Sequence, residues 1–144
     1  MSHQPIVLER TFNAPISKVW QALTDNDEMK KWYFVLPEFK AEVGFFFQFL
    51  GGKDPENQYL HYCEVTEVVV GKKLTYSWRY DGYEGNSFVT FELFDEGDKT
   101  LLKLTHVGIE TFAHLNPDFA KENFVVGWTA ILDMSLKDYL TTSK

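Results

Sequence analysis

Cysteine is almost absent: Cys63 stands alone among 144 residues, so no internal disulfide can form. Basic runs are missing too. The densest are the dipeptides Lys30-Lys31 and Lys72-Lys73, and 14 Lys and Arg against 21 Asp and Glu leave a net charge of −7. Nucleic acids and anionic membranes are gripped by concentrated Lys and Arg, so neither is an expected partner. No apolar run reaches the ~18 residues that a membrane-spanning helix needs. Met1-Ser2-His3-Gln4-Pro5 lacks the apolar core of a signal peptide. The expectation is a soluble cytoplasmic protein.

Recognisable reaction motifs are missing as well. There is no Gly-rich phosphate loop, no G-x-S-x-G elbow and no zinc-binding helix motif. His61-x-Cys63 puts two metal-ligand types on one strand face, but no third or fourth ligand is spaced to complete a tetrahedral site. His114 falls in a loop beside Asn116-Pro117. No metal and no cofactor is expected. Repeats, linkers and low-complexity tracts are likewise absent, so residues 1–144 read as one domain.

Aromatic rings are what the chain has in excess. Thirteen Phe, seven Tyr and four Trp make 17% of the residues, more ring area than a small core needs. Part of that surplus is expected to line a cavity.

Periodicity orders the elements. Ile6 to Phe12 reads as a first strand, and Asn13-Ala14-Pro15 ends it. A short helix from about Ile16 to Thr24 comes after it, with Ser17 as the expected N-cap and Val19, Trp20 and Leu23 at helical spacing. The acids of Asp25-Asn26-Asp27-Glu28 suit the start of a second short helix ending near Trp32. Five strands come next: Glu42 to Leu50, Tyr59 to Val70, Leu74 to Tyr80, Ser87 to Phe94 and Thr100 to Val107. Turn signals at Gly51-Gly52-Lys53-Asp54-Pro55, Gly71-Lys72-Lys73, Asp81-Gly82 and Asp95-Glu96-Gly97-Asp98 make them an antiparallel meander. From about Phe119 to Leu140 the period becomes helical, with Phe124, Trp128, Ile131, Leu132, Ser135, Leu136 and Tyr139 on one stripe. A helix of that length would be about 33 Å long, enough to cross a sheet. The expected class is α+β: a six-stranded antiparallel sheet covered by a long C-terminal helix, two short helices closing one end.

Four stretches carry a family resemblance. They are Phe12-x-Ala14-Pro15-x-x-x-Val19-Trp20-x-x-Leu23-Thr24, Leu74-x-Tyr76-x-Trp78, Leu102-x-Leu104-Thr105-His106-x-Gly108, and Gly127-Trp128 with Leu132 and Leu136 after it. Their order over Ile6 to Leu140 resembles the START-like (SRPBCC, birch-pollen-allergen-type) superfamily. Within it, the chain is similar to proteins related to the C-terminal domain of the activator of heat-shock protein 90 ATPase. The resemblance implies a helix-grip fold, a curved sheet wrapped around the C-terminal helix with an apolar cavity between them.

Strand alternation sorts candidate residues by face. Leu102, Leu104 and His106 should point inward, as should Leu74, Tyr76, Trp78 and Tyr80, the set Val89, Phe91 and Leu93, and the set Cys63, Val65 and Glu67. An inward His106 is either a core histidine satisfied by a carbonyl or a tyrosine, or a base or polar anchor whose ring nitrogen faces a cavity. Glu67 either binds a cation such as Arg79, marks a site, or reaches solvent at the strand end. Trp32, Phe47, Cys63, Tyr76, Trp78, Phe91, Trp128 and Leu132 join Glu67 and His106 as candidate cavity lining, with plain core packing as the alternative.

Three functions are expected from these features. The first is a binding module that holds a small apolar or aromatic ligand between sheet and helix. The second, implied by the resemblance, is a chaperone-linked or stress-linked interaction protein with contacts at Gly51 to Gln58 and Leu115 to Phe119. The third, also implied by the resemblance, is a cyclase- or hydrolase-like enzyme, for which His106 and Glu67, with Tyr76, would be the acid-base groups. An exposed sheet edge leaves both monomer and homodimer open.

Overall fold

The computed structural model describes residues 5–33, 38–52, 58–116 and 119–142. Strand β1 (Ile6–Phe12) leads into helices α1 (Ile16–Thr24) and α2 (Asn26–Trp32). Next come strands β2 (Phe46–Gly52), β3 (Gln58–Val69), β4 (Lys73–Tyr80), β5 (Ser87–Asp95) and β6 (Thr100–Val107). A short α3 (Glu110–Ala113) precedes α4 (Lys121–Ala130), a π-helical segment (Ile131–Leu136) and α5 (Lys137–Thr142). All strand pairs are antiparallel, in the order β1-β6-β5-β4-β3-β2. The curved sheet and its C-terminal helix form the expected α+β, helix-grip architecture.

The helix caps differ from expectation at one end. Ser17 does not cap α1, which starts one residue earlier behind Pro15 and has no side-chain cap. Asp25 caps α2, its Oδ1 accepting from the amides of Asp27 and Glu28 at 2.9 and 3.2 Å. Asp27 and Glu28 in the first turn and Lys30 and Lys31 in the last complement the helix dipole. β2 begins later than Glu42, because Gly44 at φ +92° turns the chain first. Its Gly51 and Gly52 pair with Tyr59 and Gln58 instead of forming a turn. Residues 53–57 of the expected turn lie outside the described residues.

Period-2 alternation places the core. Leu74, Tyr76, Trp78 and Tyr80 on β4, Val89, Phe91 and Leu93 on β5, and Leu102, Leu104 and His106 on β6 are all buried. Their registry (Tyr76 beside Val89, Val89 beside His106, Phe91 beside Leu104) makes one continuous inner layer. β3 obeys the pattern only to Val65. A bulge between Val65 and Glu67 re-aims the rest of the strand. Glu67 is therefore exposed and not inward, and its Oε1 lies 3.2 Å from Lys73 Nζ, with Arg79 playing no part.

The C-terminal helix presents Trp128, Leu132, Leu136 and Leu140 to that layer, all buried. Spacing of four residues drifts around a regular α-helix, because four exceeds 3.6. The wider π turn over Ile131–Leu136 offsets that drift and keeps the four side chains on one face. Ser135, expected on the apolar stripe, is exposed for the same reason. Arg10 on β1 reaches Asp133 at 2.6 Å, and Tyr139 donates to Glu28 Oε1 at 2.8 Å, tying the helix to β1 and α2.

The chain end after β6 is fastened to the β4–β5 loop. Thr111 Oγ1 accepts from the Asn86 amide at 2.9 Å and lies 2.9 and 2.7 Å from the carbonyl oxygens of Asn86 and Gly108. Gly85 and Gly108, at φ +101° and +89°, permit that approach; a Cβ would sit 2.6 Å from Thr111 O and 2.7 Å from Asn86 O. Gly108→Ala is expected to cost about 2–3 kcal/mol, through strained φ and a backbone clash together. Gly97→Ala, at φ +84° with nothing within 4 Å, should cost only about 1 kcal/mol. Urea denaturation of the two variants checks the difference.

Candidate functional site

A groove of about 390 Å³ opens between α4 and the β2–β4 end of the sheet. Its sheet wall is aromatic: Tyr59 and His61 from β3, Trp78 and Tyr80 from β4, with Gly51 of β2 at the edge. Phe119, just before α4, stacks on Tyr80 with centroids 4.1 Å apart and planes 12° from parallel. The helix wall comprises Asn123, Phe124, Val126, Gly127, Trp128, Ala130 and Ile131. No Asp, Glu, Lys or Arg lines the groove among the described residues.

His61 is the histidine in this wall. It stacks on Phe49 at 4.5 Å and meets Trp78 and Tyr80 at 4.9 and 4.6 Å. Nδ1 lies 2.8 Å from the carbonyl of Tyr59, which only an Nδ1–H can satisfy. Burial among rings pushes its pKa down to about 4, against the backbone hydrogen bonds to Tyr59 and Phe49. It is neutral at pH 7. Trp78 Nε1 donates to Tyr80 Oη at 2.9 Å, and Asn116 Nδ2 donates to Tyr59 and Tyr83 Oη at 3.2 and 3.1 Å. These bonds hold the rings edge to face.

His106 occupies a different place. Trp128 Nε1–H donates to His106 Nδ1 at 3.1 Å, which puts the imidazole proton on Nε2. Nε2–H then donates to Ser87 Oγ at 2.8 Å, and Ser87 donates to the Trp78 carbonyl at 2.7 Å. The expected ring nitrogen facing a cavity is thus corrected: both nitrogens are bonded inside the core, to a tryptophan and a serine and not to a carbonyl or tyrosine. Protonation of Nδ1 would oppose two N–H donors. Burial pushes the His106 pKa down to about 3.

Of the ten expected lining residues, the groove takes Trp78 and Trp128. Trp32 donates to the Ala22 carbonyl at 2.9 Å, fastening α2 on α1. Phe47 packs edge-on against Tyr76 at 5.1 Å, and Tyr76 Oη sits 2.6 Å from Tyr33 Oη. Cys63, Phe91 and Leu132 are fully buried core, and burial pushes the Cys63 thiol far up. Glu67 lies outside this layer, so the structure does not assemble His106, Glu67 and Tyr76 into one site. Phe119, expected as an outer contact, is 1% exposed. Residues 53–57 and 117–118 of the expected contact segments lie outside the described residues.

Alternation reaches Tyr59, His61 and Tyr80 as it does Cys63 and Trp78, yet in the sequence the first two show only strand and metal-ligand character. Phe119, Gly51 and Asn123 carry no periodic signal. Among the described residues no cluster of three His, Cys, Asp or Glu is placed to hold a metal, and no helix is long and apolar enough to cross a membrane.

Two buried neutral histidines make stability depend on pH. Both take their ordinary value of 6.5 when unfolded, so unfolding binds protons below it. Their contribution is complete above pH 6.5 and falls as pH drops, the His61 share until about 4 and the His106 share until about 3. Between pH 6 and 5 each should remove up to about 1.4 kcal/mol per pH unit. His61→Phe should lower the slope of unfolding free energy against pH by up to one proton. An unchanged slope would show that His61 titrates normally in the folded state.

The comparisons with known proteins agree with this fold. CalU16 from Micromonospora echinospora superposes with a TM-score of 0.73 at 26% identity, covering 96% of this chain and 76% of its own. MLL2253 from Mesorhizobium loti gives 0.77 at 25% identity, covering 98% and 99%. DynU16, from the dynemicin biosynthetic locus, gives 0.77 at 20% identity; it covers 99% of this chain and 49% of its own, a likeness of fold. No curated protein is matched at a significant level. The family model of "Activator of Hsp90 ATPase homolog 1-like protein" matches residues 13–141, and the chain belongs to that family, of the START-like type.

Proposed function

We propose that this protein binds a small apolar or aromatic molecule in the groove between α4 and strands β2–β4. The observation that carries the reading is the ring wall of Tyr59, His61, Trp78, Tyr80 and Phe119 around a space of about 390 Å³. That volume lies in the range of small-molecule sites, which are mostly apolar with a few polar groups for orientation. His61 and Asn123 bring polar side chains to this mostly apolar wall. Burial of a ring ligand would contribute about 25 cal/mol per Å2 of apolar surface, before the costs of association. DynU16 adds that a protein of this fold belongs to a biosynthetic locus.

The chaperone-linked reading has no comparable feature among the described residues. The acid–base reading lacks its pair, with His106 bonded in the core and Glu67 on the outside.

Native mass spectrometry of the freshly purified protein, compared with the same sample denatured, tests the proposal. An extra mass of a few hundred daltons that is lost on denaturation is expected, and the same spectrum separates monomer from homodimer. Ligand release should also change the tryptophan emission, because Trp78 and Trp128 both face the groove. A clean apo mass, with no aromatic probe bound at millimolar concentration, would overturn the reading.

A further inference from the structure

Glycine in the middle of a helix is unfavourable by about 1 kcal/mol relative to alanine. Gly127 nonetheless sits inside α4 with ordinary helical backbone, and no positive φ or close backbone contact requires it. A Cβ built there meets no atom within 4 Å. The space beside it is the groove.

Helical geometry shows how central this position is. At about 100° per residue, the helix-wall positions span an arc of about 200° from Val126 to Trp128, and Gly127 falls at its midpoint. Asn123 and Ile131 flank it, about 40° to either side. Any side chain at 127 would therefore project into the middle of the groove, toward the rings of the sheet wall.

We propose that Gly127 is the specificity-determining position of this groove, its missing side chain reserving room for an uncharged, planar ring ligand. The inference rests on the binding function proposed above and specifies what that site accepts. An uncharged ligand suits the described lining, which brings no Asp, Glu, Lys or Arg to the groove and whose His61 is neutral at pH 7. A charge taken into such a place without a partner is strongly disfavoured. The ligand is planar because rings face it from the sheet while the helix offers only glycine at the centre.

A matched pair of fluorescent probes tests both parts. N-phenyl-1-naphthylamine is neutral; 8-anilino-1-naphthalenesulfonate is the same ring skeleton with an added sulfonate. The wild-type protein is expected to bind the neutral probe at least about tenfold more tightly than the anionic one. Gly127→Ala should raise the melting temperature, from helix propensity alone, yet weaken the neutral probe by about threefold or more. Gly127→Leu should abolish its binding, while Ser135→Ala, exposed on the same helix but outside the groove, leaves it unchanged. If Gly127→Leu does not fold, Gly127→Ala decides. Wild-type binding of the neutral probe with both Gly127 variants within twofold overturns the role of Gly127 alone. Equal affinity for the two probes overturns the uncharged class. Failure of the wild type to bind the neutral probe, with no copurified mass, overturns the binding function and this inference together.

Discussion

The hydrogen bond from the Trp128 indole to His106 Nδ1 sets the relation between helix and sheet. It runs from α4 into the centre of the inner layer, and it is completed by His106 to Ser87 and Ser87 to the Trp78 carbonyl. Each donor in this chain has one acceptor, so the network defines a single tautomer and a single helix position. A buried polar network is stabilising only when fully satisfied. This one is, and it leaves Trp128 with its indole nitrogen anchored in the core and its ring contributing to the groove. Helix position and groove width thus share one fastening.

The surplus of rings divides into two populations. One, around Tyr76, Phe47, Phe91 and Trp128, fills the layer between sheet and helix. The other, around Tyr59, His61, Tyr80 and Phe119, meets edge to face or in stacks and stops at an open groove. Rings suit such a wall because few rotatable bonds keep it in shape when nothing occupies the space. The short α3 belongs to this second population: Phe112 sits edge-on to Tyr80 at 5.2 Å and supports it from behind.

Much of the fold is legible in the chain because period-2 and helical patterns are properties of sequence. Strands β4, β5 and β6 and the inward sets Leu74/Tyr76/Trp78/Tyr80 and Leu102/Leu104/His106 come directly from it. The inward face assigned to Glu67 fails, since a bulge is a backbone hydrogen-bonding event that leaves no mark in Val65-Thr66-Glu67, and the alternative of a glutamate reaching solvent holds. The π segment is hidden for a related reason: a four-residue apolar spacing fits both helix types until burial shows which face is kept. The site is less legible than the fold. His106 stands out in the sequence as an inward histidine, but alternation places His61 inward just as firmly. Only tertiary contacts show that His106 is bonded between Trp128 and Ser87 in the core, while His61, bonded to the Tyr59 carbonyl, forms part of the groove wall.

The π segment also lets one helix carry two tasks on different faces. Ahead of it, the positions around Gly127 face the groove while Trp128 is anchored in the core; Leu132 and Leu136 within it and Leu140 after it hold the helix to the sheet. Because the π turn keeps Trp128, Leu132, Leu136 and Leu140 on one face, changes at the exposed positions Asn123, Val126, Gly127 and Ala130 leave that anchorage in register. A fold arranged this way can diversify what it accommodates by substitution over a few turns, without renegotiating how it holds together.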